Sequence, residues 1–309
     1  MKMKVLTVAT RGGALAMAQT KFVAAALQRI HLELEIKIQQ VTTRGDRDRR
    51  TALWHLKDTG FFTSQLEDAL IAGEADFAVH SLKDLPTDEH EGLTITAVFD
   101  RNFVEDCLVS ARPVESLEQL PKGAKIGTSS LRRAAQLRHL RGDLEPAPLR
   151  GNVQTRLKKL DTGEFDAVLL ARAGLERLGL GDKVAFVFDP AVFIPAPAQG
   201  ALGIQTRADD DKTNEIIASI DDQTARTTAL AERKILTTMQ CGCHAPVGAY
   251  AKITAGKIKI RAFICDLQGK DFISRVTTGP ARDAEALAEQ LAHELLAAGG
   301  DEILAALKA

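Results

Sequence analysis

The chain predicts a mixed α/β fold, with two α/β lobes followed by a small α+β domain. Three observations carry that prediction. Strand-like and helix-like segments alternate from Lys4 to Leu178, and such alternation implies βαβ units with mostly parallel sheets. Polar residues gather at or just after the carboxyl ends of these strands, among them Arg11, Lys83, Asp84, Ser129, Arg132, Arg150 and Arg177, where open α/β sheets bind ligands. Beyond Asp221 the pattern changes to a helix, a strand meander and a closing helix. The expected divisions are residues 1–100 with 200–220, residues 104–194, and residues 222–309. The shared placement of the basic residues predicts one cleft between the two lobes.

Lys4 to Ala9 reads as a strand and Ala14 to Ile30 as a helix, joined by Thr10-Arg11-Gly12-Gly13. Glu33 to Val41 alternates, with Leu34, Ile36 and Ile38 on one face, and predicts a second strand. Arg47 to Gly60 is polar and lacks periodicity, as in a functional loop or lid. Thr63 to Ala72 follows as a helix with Ser64 as its expected cap, then a strand at Asp76 to Val79, a loop from His80 to Pro86, and a strand at Leu93 to Phe99.

The pattern restarts with a strand around Cys107 to Val109. Twice an apolar run then ends in small polar residues and opens a helix, at Ile126-Gly127-Thr128-Ser129-Ser130 and at Leu149-Arg150-Gly151-Asn152. Ser and Asn are favoured N-caps, and a helix N-terminus presents free N–H groups at the positive end of its dipole. A third unit joins a strand at Phe165 to Leu170 to a helix at Ala173 to Leu178. Pro190 to Gly200 is a stiff connector with three prolines. A helix from Thr224 to Thr238 precedes the loop Gln240 to Pro246. Strands at Gly248 to Ile253, Lys257 to Asp266 and Phe272 to Thr278 are joined by turns at Ala255-Gly256 and Gln268-Gly269. A helix at Asp283 to Ala297 and a short one after Gly300 close the chain.

Composition narrows the function classes. At 309 residues the chain holds two or three domains. The formal charge of −1 makes the basic block from Lys125 to Leu160 a local feature. Only 5% of residues are aromatic, with one Trp and one Tyr, and no stacking motif is present, which argues against nucleic acid. No apolar stretch reaches the length of a membrane span. The apolar run after Met1-Lys2-Met3-Lys4 is broken by Arg11 and two glycines, unlike a secretory signal. The four cysteines form no disulfide framework. These features predict a cytoplasmic protein, and a monomer by default.

The basic block suits a small polyanion, because guanidinium groups bind carboxylates and phosphates bidentately. Asp84 would be the one negative charge in an arginine-lined cleft, able to stabilise a cation or handle a proton. Cys241-Gly242-Cys243-His244 lacks the spacing of a zinc site. A cysteine in such a loop is better placed as a nucleophile or covalent anchor. Cys107 and Cys265 fall in strands and suit a buried structural role.

Eight motifs in order, A-T-R (9–11), T-T-R-G-D (42–46), V-H-S-L-K-D-L-P (79–86), I-G-T-S-S-L-R-R (126–133), L-R-G-N-V-Q-T-R-L (149–157), G-L-E-R-L-G (174–179), P-A-P-A-Q-G (195–200) and C-G-C-H-A-P-V-G (241–248), resemble the porphobilinogen deaminases, also called hydroxymethylbilane synthases. The resemblance implies two periplasmic-binding-protein-like α/β lobes and a third α+β domain with a three-stranded antiparallel sheet. It implies a dipyrromethane cofactor bound through a thioether, with Cys243 rather than Cys241 as the anchor. The implied reaction joins four porphobilinogens head to tail onto that primer, releases ammonia each time, and hydrolyses off hydroxymethylbilane.

Each pyrrole carries an acetate and a propionate, which accounts for the arginines. The resemblance makes Asp84 the catalytic carboxylate, with Lys83 and Arg11 beside it. It makes Ser129, Arg132, Arg133, Arg150 and Arg156, with Lys83 and Asp84, cofactor ligands. Arg11, Gln19, Arg150, Arg156 and Arg177 become substrate ligands. No metal is implied. Two departures stand out: Gly12-Gly13 occupies a place where the family often has a hydroxyl, and Leu56-Lys57-Asp58-Thr59-Gly60 replaces the usual Gly-Gly-Lys-Gly run of the lid. The alternative is a non-catalytic, two-lobed protein that binds small anions.

Overall fold

The computed structural model describes residues 4–42, 63–88, 90–242 and 245–308. The segment Arg47 to Gly60, most of the 42–46 motif, and Cys243 with His244 lie outside the described residues. In chain order the first elements are β1 (Lys4–Arg11), α1 (Ala14–Ile30), β2 (Leu34–Val41), α2 (Ser64–Ile71), β3 (Phe77–Ser81), a 3₁₀ turn (Leu82–Asp84) and β4 (Leu93–Phe99). Next come β5 (Asp106–Ser110), β6 (Lys125–Gly127), α3 (Leu131–Leu140), β7 (Glu145–Ala147), α4 (Val153–Asp161), β8 (Ala167–Ala171), α5 (Arg172–Arg177) and β9 (Phe186–Val187). The rest is β10 (Leu202–Arg207), α6 (Asp211–Ala218), α7 (Gln223–Thr238), β11 (Val247–Thr254), β12 (Lys257–Cys265), β13 (Phe272–Pro280), α8 (Ala284–Leu295) and α9 (Asp301–Lys308).

Two compact units result, Met1–Asn102 with Gly200–Arg226, and Phe103–Gln199 with Thr227–Ala309. The first holds a five-stranded sheet in the order β2-β1-β3-β10-β4. Its two faces bury different apolar sets. One packs Val8, Phe77, Val79 and Ile204 against Val23 and Leu27 of α1 and Ile217 of α6. The other packs Ala9 and Ala78 against Leu66 and Leu70 of α2. Helices on both faces are what period-2 strands buried on both sides require.

The expectation of mostly parallel sheets is corrected. β1 runs parallel to β2 and β3, but β10 lies antiparallel between β3 and β4. The second sheet, β7-β6-β8-β5-β9, is also mixed: β6 is parallel to β7 and β8, whereas β5 is antiparallel to β8 and β9. Each sheet therefore takes in a strand that the alternating pattern does not predict. β10 and α6 went unread in the sequence. Gln205 and Thr206 make β10 look polar, yet they are 1% and 0% exposed, and Thr206 is hydrogen bonded to Thr96 and Asn214. Two smaller corrections follow. Thr63, not Ser64, is the N-cap of α2. His80 and Ser81 belong to β3 rather than to a loop. β2 forms as expected, at the edge of the sheet, with Ile38 38% exposed.

In the second unit the antiparallel sheet β11-β12-β13 stacks on α7 and α8 through Ile235, Ile260, Leu291 and Leu295. Its β12–β13 turn docks on α3: Arg138 Nη1 donates to Leu267 O at 2.6 Å, and His139 Nδ1 lies 3.0 Å from Gly269 O. The His139 ring stacks on Phe272 at 4.2 Å, which stacks on Phe263 at 4.8 Å. Gly248 permits a second close approach. A Cβ there would stand 2.5 Å from Phe263 and 2.9 Å from the carbonyls of Ile194 and Pro195.

Candidate active site

In the first unit β3 carries its polar residues to the carboxyl edge of the sheet and there turns into the Leu82–Asp84 helix. The turn is pinned from several sides. Gln19 of α1 donates to Ser81 Oγ at 2.8 Å, and Leu82 N donates to Ala201 O at 3.0 Å. Gly203 of β10 leaves room for Leu82, since a Cβ there would sit 2.9 Å from Leu82 Cδ1. Anchoring Leu82 and Leu85 in the interior leaves Asp84 exposed and Lys83 half-buried. Arg11 ends β1, also half-buried. Arg11, Gln19, Lys83 and Asp84 thus share one end of one sheet.

In the second unit both expected helix starts are capped as read. Ser130 accepts from Arg133 N, and Asn152 accepts from Thr155 N. Ser129 Oγ donates to Leu149 O at 2.6 Å and accepts from Leu149 N, so it ties the end of β6 to the loop that carries Arg150. Arg150 Nη2 is buried with no partner among the described residues. Arg156 Nε donates to Gly151 O at 2.9 Å and so faces the same loop. Arg177 ends helix α5 instead of following a strand directly.

Arg132 and Arg133 are placed differently from the expected open anion pocket. Both are buried and both turn to Asp106. Arg132 Nη1 donates to Asp106 Oδ2 and to Ile194 O, each at 2.7 Å. Arg133 gives Nε to Asp106 Oδ1 at 2.9 Å and Nη1 to Leu169 O at 3.0 Å, while its Nη2 stands 2.7 Å from the same carboxylate. Gln199 Nε2 adds a fourth contact at 3.0 Å. Burial opposes the charge on Asp106, but the two guanidinium groups outweigh it and hold the carboxyl well below the usual range. Asp106 was missed in the sequence because it directly precedes the expected strand at Cys107. An acidic residue entering a wholly apolar strand was the available signal.

The thiols of Cys107 and Cys265 are both pushed up to about 12, chiefly by burial, as structural cysteines should be. Cys241 is partly buried against the C-terminal core.

Comparison with known proteins decides what this arrangement belongs to. The family model described as "Porphobilinogen deaminase, dipyromethane cofactor binding domain" matches residues 6–215, and "Porphobilinogen deaminase, C-terminal domain" matches residues 226–297. The chain belongs to the porphobilinogen deaminase family.

Curated relatives agree along the full length. Porphobilinogen deaminase from Desulforudis audaxviator is 45% identical over 304 residues, covering 98% of each chain. The Deinococcus radiodurans enzyme is 41% identical over 308 residues, covering 99% of this chain and 100% of its own. Among solved structures, the periplasmic aliphatic sulphonate binding protein SsuA from Escherichia coli is 17% identical, with a TM-score of 0.41, over 77% of this chain and 70% of that one. Family membership replaces the alternative of a non-catalytic anion-binding protein. The cofactor of the family fits donors seen here: the orphaned guanidinium nitrogen of Arg150 and two capped helix starts are what carboxylates of a dipyrromethane require. Among the described residues no helix is long and apolar enough to cross a membrane.

Proposed function

We propose that Asp84, with Lys83 and Arg11 beside it, performs the chemistry of the family reaction, and that Cys243 holds the cofactor through a thioether. The chain is a transferase that joins porphobilinogens head to tail on a dipyrromethane primer, with loss of ammonia, and releases hydroxymethylbilane. When bound, dipyrromethane supplies the pyrrole carbon onto which the first substrate is added.

The roles follow from residue chemistry. As the C–N bond of porphobilinogen breaks, its electron pair leaves with ammonia and the remaining substrate becomes a cation. The Asp84 carboxylate stabilises that charge, and it accepts the proton displaced when the new C–C bond forms. Lys83, Arg11, Gln19, Arg150, Arg156 and Arg177 hold acetate and propionate groups. Each charge-assisted hydrogen bond contributes about 1.5–3 kcal/mol, so a growing polyanion needs several. Arg132 spends only Nη1 on Asp106 and Ile194, which leaves its other N–H groups for a cofactor carboxylate. Arg133 acts through Asp106, and Ser129 by fixing the Arg150 loop.

Supporting Cys243 as the anchor, Cys107 and Cys265 are buried, high-pKa thiols, and Cys241 is partly buried against the C-terminal core. In this reading residues 1–100 with 200–220, residues 104–194 and residues 222–309 are three functional modules of a cytoplasmic monomer. The observation that carries the assignment is the full-length family match together with Arg150 Nη2, which has no partner among the described residues. Asp84→Asn tests it. The variant should keep the mass of the covalent cofactor and lose about 100-fold or more in ammonia release from porphobilinogen. Turnover near that of the wild type would remove Asp84 from its role.

A further inference from the structure

Beneath the Asp84 turn the α2-covered face of the first sheet, otherwise built from Ala9, Leu66, Leu70, Ala78 and Leu93, also buries a run of polar side chains. His80 of β3 is 5% exposed, Gln205 of β10 is 1% exposed, and Glu67 of α2 is 8% exposed. The register explains their meeting. His80 pairs with Gly203, and Gln205 pairs with Ala78, so two large polar side chains on adjacent strands stand over two residues with little or no side chain. Gln205 Nε2 donates to Glu67 Oε1 at 3.3 Å, and Thr63 Oγ1 donates to Glu67 Oε2 at 3.4 Å. His80 Nε2 and Gln205 Oε1 satisfy no hydrogen bond among the described residues.

Such a chain is a poor way to stabilise a core. Its bonds are long, and two of its buried atoms are unpaired, where well-packed apolar residues would serve better. Its location gives it another use. β1 and β3 pair at Ala9 and Ala78, and Arg11 and His80 each follow two residues later on the same face of their strands. Arg11 does act electrostatically on His80. On the other side His80 is followed directly by Ser81 and the Leu82–Asp84 turn. Locally inconsistent polar groups that persist next to reacting residues mark a place where stability is given up for function.

We propose that His80, backed by Gln205 and Glu67, is a positioning residue that orients Arg11 and the Lys83–Asp84 turn for turnover. This rests on the active-site reading above and adds to it residues that touch neither substrate nor cofactor. Burial disfavours the imidazolium, with Gln205 opposing and Arg11 reinforcing, and lowers its pKa to about 4. The ring is therefore neutral at physiological pH and does not repel the Arg11 guanidinium.

The test separates positioning from packing. In His80→Leu the buried imidazole is gone, while the Gln205–Glu67 bond is left in place. The proposal expects an unchanged or higher melting temperature, an unchanged cofactor adduct by intact mass, and KM within about twofold. It expects kcat lower by about tenfold or more, since small displacements of reacting groups cost this much. His80→Gln, which keeps a polar group at that reach, should recover part of the loss. A His80→Leu enzyme with wild-type kcat would overturn the proposal. Should His80→Leu not fold, Gln205→Met carries the same test, with kcat reduced and KM kept as the expected result and wild-type kcat as the refutation. Absence of the adduct in the wild-type protein would instead sink the underlying functional reading, so the two failures are distinguishable.

Discussion

Replacing Asp106 by Asn keeps the shape of the side chain and removes the charge that two guanidinium groups share. The side chains of Arg132 and Arg133 are only 5% and 7% exposed, so solvent cannot take over from the lost carboxylate. Removing one partner of a buried ion pair costs about 3–5 kcal/mol, because the other charge is left uncompensated. At about 2–4 °C per kcal/mol for domains of this size, the melting temperature should fall by about 6–20 °C. The bond from Gln199 Nε2 to Oδ1 can survive in Asn, which favours the lower half of that range. The folded-state carboxyl is depressed below its reference of 3.8. Its stabilisation is therefore present above the unfolded value and lost only as pH falls through the folded one. The loss measured by calorimetry should then be the same at pH 5 and pH 8. It should also resist added salt, since buried pairs are weakly screened. A melting temperature within about 2 °C of wild type, or a deficit confined to one of those pH values, would refute the reasoning.

Two further outcomes follow from the packing. His80 is held neutral by burial, with the Arg11 guanidinium of β1 acting in the same direction, while Glu67 of α2 bonds to Gln205 behind it. Its pKa falls from 6.5 unfolded to about 4 folded. The unfolded state thus binds more protons between these values, and stability should be full above 6.5 and decline towards pH 4 by about 3 kcal/mol. Urea unfolding of the wild type against His80→Leu checks this, and identical pH slopes in the two proteins would contradict it. Gly248→Ala should cost about 1–3 kcal/mol, because the new methyl meets Phe263 at 2.5 Å and two backbone carbonyls at 2.9 Å. Unfolding by denaturant reads that directly, and an unchanged midpoint would show that the 194–195 segment moves aside freely.

Local signals in the sequence were read well where one strong feature dominates. α1 runs from Ala14 to Ile30 as expected, its apolar stripe bounded by Gly13 and His31. β4 also matches its predicted span, and the caps Ser130 and Asn152 were legible from side-chain chemistry alone. The Ala255-Gly256 turn has positive φ at both residues, 49° and 74°, as a two-residue hairpin of this type demands. Non-local choices were not legible. Nothing in Leu202-Gly203-Ile204-Gln205-Thr206-Arg207 says that its glutamine and threonine would be wholly buried, since their burial depends on Glu67, Thr96 and Asn214 from distant segments. Likewise the sequence put Arg132 and Arg133 in a basic block. Their common partner lies 26 and 27 residues earlier in the chain, and only the pairing of β5 with β8 brings it there. The carboxyl-end rule placed Arg11, Lys83 and Asp84 correctly on one sheet end, but it misplaced Arg177, which sits a helix further on.

The proposed covalent link between this chain and its cofactor is open to a single direct measurement. Intact-mass analysis of the protein, purified from a host that makes porphobilinogen, should give the sequence mass plus two linked pyrrole units. The adduct should map to Cys243 and vanish in Cys243→Ser while persisting in Cys241→Ser. An unmodified mass, or an adduct that moves to Cys241, would contradict the account.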